Sequence, residues 1–255
     1  MQWRKTRDPY KIFISELMLQ QTQVDRVIPQ YANFVKKFPT IRHCAFSPLQ
    51  EILIAWKGLG YNRRAVYIKR TAEIITRDYK GKFPKDYKAL RALPGIGDYT
   101  ARAIQTFAWN TPNVFIETNI RRIFLYEFFP RIEKVADSSL LLCVQKTLPK
   151  KHMREWYWAL MDYGAIAMKN IDNPNRRSLR YARQTKFEGS QRHARSFALA
   201  YVAKNKSATI TQIKKQFLLF PKLSSYGGEK LVLILATLSR DGFLEKRKNA
   251  YRIAS

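Results

Sequence analysis

Residues 90–104 read LRALPGIGDYTARAI. The apolar spacing of Leu90 and Leu93 predicts the end of a helix, and Pro94 stops it. Gly95 and Gly97 allow a tight turn through backbone angles closed to other residues, and a new helix is predicted from about Asp98. A helix, a glycine hairpin and a second helix in this order let a phosphate approach backbone N–H groups at a helix N-terminus, where the helix dipole favours anions. An ordinary turn between packed helices reads similarly, so the rest of the chain has to decide between the two.

The charge balance favours the phosphate. The 255 residues hold 47 Lys and Arg against 19 Asp and Glu, a formal net charge of +28. Self-repulsion on that scale opposes compaction, so it points to a polyanionic partner, nucleic acid above all. Hydrophobic residues are 46% of the chain, enough for a core and too many for a disordered one. No apolar run is long enough to span a membrane, and the opening MQWRKTRDPY lacks a signal-peptide core. A cytoplasmic protein with no membrane contact is therefore expected, nucleoid-associated if the source is prokaryotic, and a monomer. Two cysteines, Cys44 and Cys143, are too few for a disulfide framework or a four-thiolate metal site. His43, His152 and His193 lack metal-ligand spacing.

Apolar residues at three- and four-residue spacing predict helices over 11–27, 47–57, 62–79 and 99–109, with Pro9, Pro29, Pro39, Pro84, Pro94, Pro112 and Pro130 at boundaries. The expected fold class is mainly α: a two-lobed helical domain over 1–168 with about ten helices. KNIDNPNRRSLRYARQTK (169–186) is polar and basic and is expected as a linker or surface crossing. Residues 187–255 predict three helices (190–203, 209–217, 229–239) and a hairpin with a basic tip at Lys246, Arg247 and Lys248, the pattern of a winged helix. Its third helix, LVLILATL, is expected to face a core.

Glu16 lies among Phe13, Leu17, Met18 and Leu19, where burial would raise its pKa and keep a proton available near neutrality. It belongs to WRKTRDPYKIFISELMLQQTQV (3–24), which stands with WKGLGYNRRA (56–65), FPKDYKALRALPGIGDYTARAI (83–104), FIETNIRRI (115–123) and ALMDYGAIAM (159–168). On these blocks the first 170 residues resemble the helix-hairpin-helix (HhH-GPD) DNA glycosylase superfamily, and within it the adenine DNA glycosylases of MutY type. The resemblance implies base excision repair, with a base flipped from the duplex and its glycosidic bond hydrolysed. It implies that Glu16 protonates the adenine ring, that Gln20, Gln21 and Thr22 enter the DNA around the vacated base, and that Tyr61 intercalates beside the opposite base. Arg4 matches an arginine near the flipped base. Arg63 joins Gly95 and Gly97 as an expected DNA contact. Relatives that also cut the strand carry Lys at position 99, a Schiff-base nucleophile. Tyr99 here implies a monofunctional enzyme that leaves an abasic site.

Three features depart from the family. Its catalytic aspartate aligns with Glu117, one methylene longer, kept here as stabiliser of the sugar cation. Its four cluster-binding cysteines are absent: Met168 stands where the first would lie, so no iron–sulfur cluster is expected, whereas a monovalent cation at the hairpin is. The winged-helix tail replaces the domain that reads 8-oxoguanine. The expected substrate is duplex DNA with a mispaired purine, adenine first; a glycosylase for thymine, hypoxanthine or an oxidised purine, and a DNA-binding protein impaired in catalysis, are the alternatives.

Overall fold

The computed structural model describes residues 1–183 and 186–254. Thirteen α-helices occur among them: α1 (Pro9–Leu19), α2 (Val24–Lys37), α3 (Ile41–Phe46), α4 (Leu49–Ala55), α5 (Arg63–Asp78), α6 (Tyr87–Arg91), α7 (Asp98–Trp109), α8 (Thr118–Phe128), α9 (Asp137–Thr147), α10 (Met153–Asp162), α11 (Gln191–Asn205), α12 (Ile210–Leu218) and α13 (Glu229–Arg240). Three short strands follow α10: β1 (Ser207–Thr209), β2 (Leu244–Arg247) and β3 (Ala250–Ile253), antiparallel in the order β1-β3-β2. No helix among the described residues is long and apolar enough to cross a membrane.

The chain forms two compact units. One gathers residues 1–2, 17–83 and the tail from 186; the other gathers 3–16 and 84–183. This corrects the expected division at 168 and 187. The tail is no separate domain, because α11 packs on α4, Gln50 Nε2 donates to the Ala203 carbonyl at 2.7 Å, and Arg63 pairs with Asp241 at 3.1 Å. Residues 169–183 are no loose linker either. A 3₁₀ turn at Pro174–Arg177 buries Asn175, whose side chain donates to Thr118 O, while Arg177 donates to Leu125 O at 3.0 Å. Val135 and Ser178 form a parallel bridge. Backbone groups that a solvated linker would leave to water are thus paired within the fold.

In the first unit α2 buries Val27, Tyr31 and Phe34, one stripe at four- and three-residue spacing, and Phe34 meets Trp56 edge-on at 6.2 Å. Pro29 lies inside α2 and ends nothing. The stretch expected as one helix over 11–27 breaks after Leu19, and Gln21 turns left-handed at φ 53°. The Arg64 guanidinium lies at this break, donating to Leu17 O at 2.7 Å, Met18 O at 2.9 Å and Gln20 O at 2.6 Å. These are carbonyls a helix end leaves without partners. The same guanidinium reaches Thr22 Oγ1, Leu59 O and Gly60 O.

The tail runs α11, β1, α12, α13, β2, β3. Ser190 caps α11 and Thr209 closes a capping box with Gln212 over α12. The wing residues Lys246, Arg247 and Lys248 are exposed. Only part of the apolar run in α13 faces a core: Leu231, Ile234, Leu235 and Leu238 are buried, whereas Val232 and Leu233 are exposed.

In the second unit the core comes from Phe13, Ile14, Leu90, Ile96, Ile104, Phe115, Ile120, Phe124, Leu140 and Tyr157. A π-helical turn, Tyr163–Ala167, follows α10 and presses Gly164 against the start of α8: a β-carbon there would stand 2.5 Å from Asn119 O. Gly164→Ala must therefore push the first turn of α8 aside. It is expected to destabilise the protein by about 1–3 kcal/mol, read as a lower denaturation midpoint, while Ala165→Gly on the same turn lacks that clash.

Candidate active site

The second unit brings four expected residues together: Arg4, Glu16, Tyr99 and Glu117. Glu16, on α1, is 5% exposed. Burial pushes its carboxyl from 4.5 up to about 7; the Tyr99 hydroxyl that donates to it and the Arg4 charge pull it down, and the neighbouring Glu117 pushes it up. The Tyr99 hydroxyl is itself driven well above its ordinary value by burial and by the two carboxylates. A phenol that keeps its proton beside two carboxyl groups is a donor and not a nucleophile. Its ring stands edge-on to Phe115 at 5.5 Å, and Phe115 stacks on Tyr157 at 3.9 Å, fixing the floor of the site.

Glu117 occupies the N-cap of α8. One carboxylate oxygen accepts from the Asn119 and Ile120 backbone N–H groups at 2.8 Å each, and the other accepts from Asn119 Nδ2 at 3.3 Å. The longer side chain folds back on its own helix, a place where shorter acceptors are the rule. Burial raises the Glu117 carboxyl, while those N–H donors and Arg121 pull it down. Glu16 has one phenol donor and a distant cation; Glu117 has a helix terminus. Burial raises both carboxyls, and only Glu117 has backbone N–H donors at a helix terminus that favour its anion.

Arg4 donates to both carboxylate oxygens of Asp162 at 2.6 and 2.8 Å and lies over the Trp158 ring at 5.7 Å. Asp162, in ALMDYGAIAM, escaped the sequence reading because nothing local marks it as the partner of Arg4, 158 residues away. Arg121 pairs with Asp137, and Arg122 donates to Gly164 O and Ile171 O. Both arginines serve the fold first.

In the hairpin, Gly95 takes φ 76° as expected, but Gly97 does not need to be glycine for its backbone: φ −79° is open to any residue, and a β-carbon there would meet nothing closer than Arg91 Nη1 at 3.9 Å. Gly97 is the N-cap of α7 and supplies no side-chain cap, so the first N–H groups of that helix remain uncovered by it.

The other expected residues lie in the first unit. Gln20, Gln21 and Thr22 form the turn after α1, with Thr22 Oγ1 donating to Gln20 O at 3.2 Å. Tyr61 is more than a third exposed at φ 45°. Arg63, expected on DNA, pairs with Asp241 and keeps an exposed side chain; the residue that organises both segments is its neighbour Arg64, buried and still cationic although burial lowers it to about 10. Two adjacent arginines look alike in sequence, and only helix phase separates them.

A family model for HhH-GPD superfamily base excision DNA repair proteins matches residues 14–139. The chain is 31% identical over 167 residues to a thymine/uracil-DNA glycosylase of Methanothermobacter thermautotrophicus, covering 64% of this chain and 76% of that protein. The chain belongs to the HhH-GPD superfamily. It is also 41% identical over 165 residues to an adenine DNA glycosylase of Buchnera aphidicola subsp. Baizongia pistaciae, covering 64% of this chain but 47% of that enzyme, so it spans about half that relative's length. The solved structure of a thermostable thymine-DNA glycosylase matches with a TM-score of 0.57 and 30% identity, over 65% of this chain and 78% of that one.

Against the iron–sulfur clusters of this superfamily the donor set does not fit. Cys44 and Cys143 fall in different units, no described cluster of His, Cys, Asp and Glu could hold a metal, and Met168 is buried as an apolar residue.

The raised carboxyl of Glu16 carries a stability cost with a definite pH window. A group whose folded pKa lies above its ordinary value favours folding fully below 4.5 and loses that contribution as pH rises through about 7. Glu16→Gln removes the ionisation cost, roughly 3 kcal/mol at full ionisation. Its Tm should exceed the parent's by several degrees at pH 8 and differ little at pH 4.5, read by thermal denaturation.

Proposed function

We propose that the chain is a monofunctional DNA glycosylase that hydrolyses the N-glycosidic bond of a flipped-out adenine in mispaired DNA and leaves an abasic site. The observation that carries the reading is the pair of buried carboxyls, Glu16 with burial favouring its proton and Glu117 capping a helix through two N–H groups: purine loss requires an acid beside an anion. The Glu16 proton passes to a ring nitrogen of the adenine, and the C1′–N bond breaks with its electron pair going to the base. The sugar is left with oxocarbenium character, which the Glu117 carboxylate stabilises. Water adds at C1′ and gives up a proton. Tyr99 holds Glu16 by its hydroxyl and cannot form a Schiff base. No step needs an iron–sulfur cluster.

Support for adenine comes from Glu16 and from the similarity to adenine DNA glycosylases. Support for duplex DNA comes from the hairpin, the charge of +28 and the family. Gln20, Gln21, Thr22 and Tyr61 would enter the duplex, and the uncovered N–H groups at the start of α7 would take a phosphate. Arg4, tied to Asp162, would stand beside the flipped base.

A gel assay on duplexes holding A opposite 8-oxoguanine, A opposite G, T opposite G, uracil or hypoxanthine tests the reading. The expected result is base release from an adenine duplex, with strand cleavage only after alkali. Glu16→Gln should slow single-turnover release by about 100-fold or more, and the parent's rate should fall as pH rises past about 7. Release from none of the duplexes would overturn the reading, and cleavage without alkali would overturn its monofunctional part. Gly97→Ala gives a separate check: its Tm should stay close to the parent's, since the β-carbon meets no neighbour, while duplex affinity drops about tenfold because a methyl group stands between phosphate and backbone.

A further inference from the structure

Tyr61 does not stand alone in its loop. Its hydroxyl accepts a hydrogen bond from Arg192 Nη1, and the Arg192 guanidinium also lies 5.4 Å from the centre of the Tyr61 ring. Arg64 approaches the same ring at 5.5 Å, so two cations lie close to one ring. Arg192 is in the first turn of α11, the helix that opens the tail. Two further contacts hold the tail on this loop's neighbours. Asp241 at the end of α13 bridges Arg63, two residues beyond Tyr61, and Arg195, one turn beyond Arg192, at 3.1 and 2.6 Å. Gln50 on α4 donates to Ala203 O at the far end of α11. A tyrosine at φ 45° is in a backbone region that bulky residues rarely adopt, and it persists only where surrounding contacts over-determine it.

We infer that Arg192 is a positioning residue for Tyr61, and that the tail module braces the 57–62 loop so that the Tyr61 ring is set before DNA arrives. The inference rests on the reading in which Tyr61 enters the duplex. It assigns the tail a part in opening the base pair that differs from adding charge. A preset ring avoids ordering a mobile side chain during insertion, which is the general advantage of preorganisation.

The test is a double-variant cycle on the full chain. The probe is a duplex with 2-aminopurine beside a target adenine, whose fluorescence rises when the stack opens. Arg192→Ala should reduce the rise about three- to tenfold, with the salt slope of binding to an undamaged duplex unchanged. Arg192→Lys, which keeps a cation but not the fork, should lose less. In a Tyr61→Ala background, Arg192→Ala should cause no further loss. If the two effects multiply, or if Arg192→Ala lowers the salt slope by about one, Arg192 acts on phosphate and the brace is wrong. Absence of any rise with the parent protein would overturn it too. Tyr61→Phe, which removes only the oxygen that Arg192 bonds, should show a partial loss and covers the case in which Arg192→Ala fails to fold. Failure of the glycosylase reading is told apart by base release: a parent that opens the stack with Arg192 coupled to Tyr61, yet excises nothing, keeps the brace and loses the chemistry.

Discussion

Two carboxyl groups in a poorly solvated region cannot both ionise cheaply, and the second unit is organised around that constraint. Glu16 and Glu117 repel each other, and burial penalises both as anions. What separates them is the supply of donors. The first turn of α8 presents two N–H groups to Glu117, and that turn is held in place by Gly164 packing against Asn119. Glu16 meets a phenol already committed to keeping its proton. The aromatic rings bury the site and the π-helical turn holds the start of α8, while the Arg4 charge acts the other way on Glu16.

The parts of this arrangement that could be read in the sequence are those written in local chemistry. Pro94 with Gly95 marks the hairpin because few other residues stop one helix and permit a left-handed turn. Glu16 stands out as a lone acid in an apolar helix. Gly97 was expected for the wrong reason: its backbone angles are ordinary, and no neighbour in the fold crowds its β-carbon position. Arg64 was indistinguishable from Arg63, since adjacent residues differ only in the face they occupy, and the carbonyls Arg64 caps lie more than forty residues away. Asp162 and Arg192 were invisible for the same reason. Long-range polar partners leave no periodicity.

The segment from 169 to 183 and the tail were misjudged in a related way. Polar, basic composition suggested solvent, yet the Asn175 and Arg177 side chains donate to the Thr118 and Leu125 carbonyls of α8, Val135 N–H donates to Arg177 O and Leu179 N–H to Val135 O. A polar stretch can be structural when it pays its hydrogen bonds to backbone instead of water. These contacts hold the path of a chain whose thiolate donors are lacking.

Asp241 serves two arginines at once, and Glu117 serves two amides and a side chain. With 19 acids against 47 bases, acidic groups are scarce, and some are shared. The remaining cations repel one another in the free protein. A polyanion that binds only the folded chain relieves that repulsion, adding stability by mass action, about 2.7 kcal/mol at a hundredfold excess over Kd. Such a ligand is therefore also a counterion to the fold: the free molecule is weakest at low ionic strength and most robust with a polyanion bound.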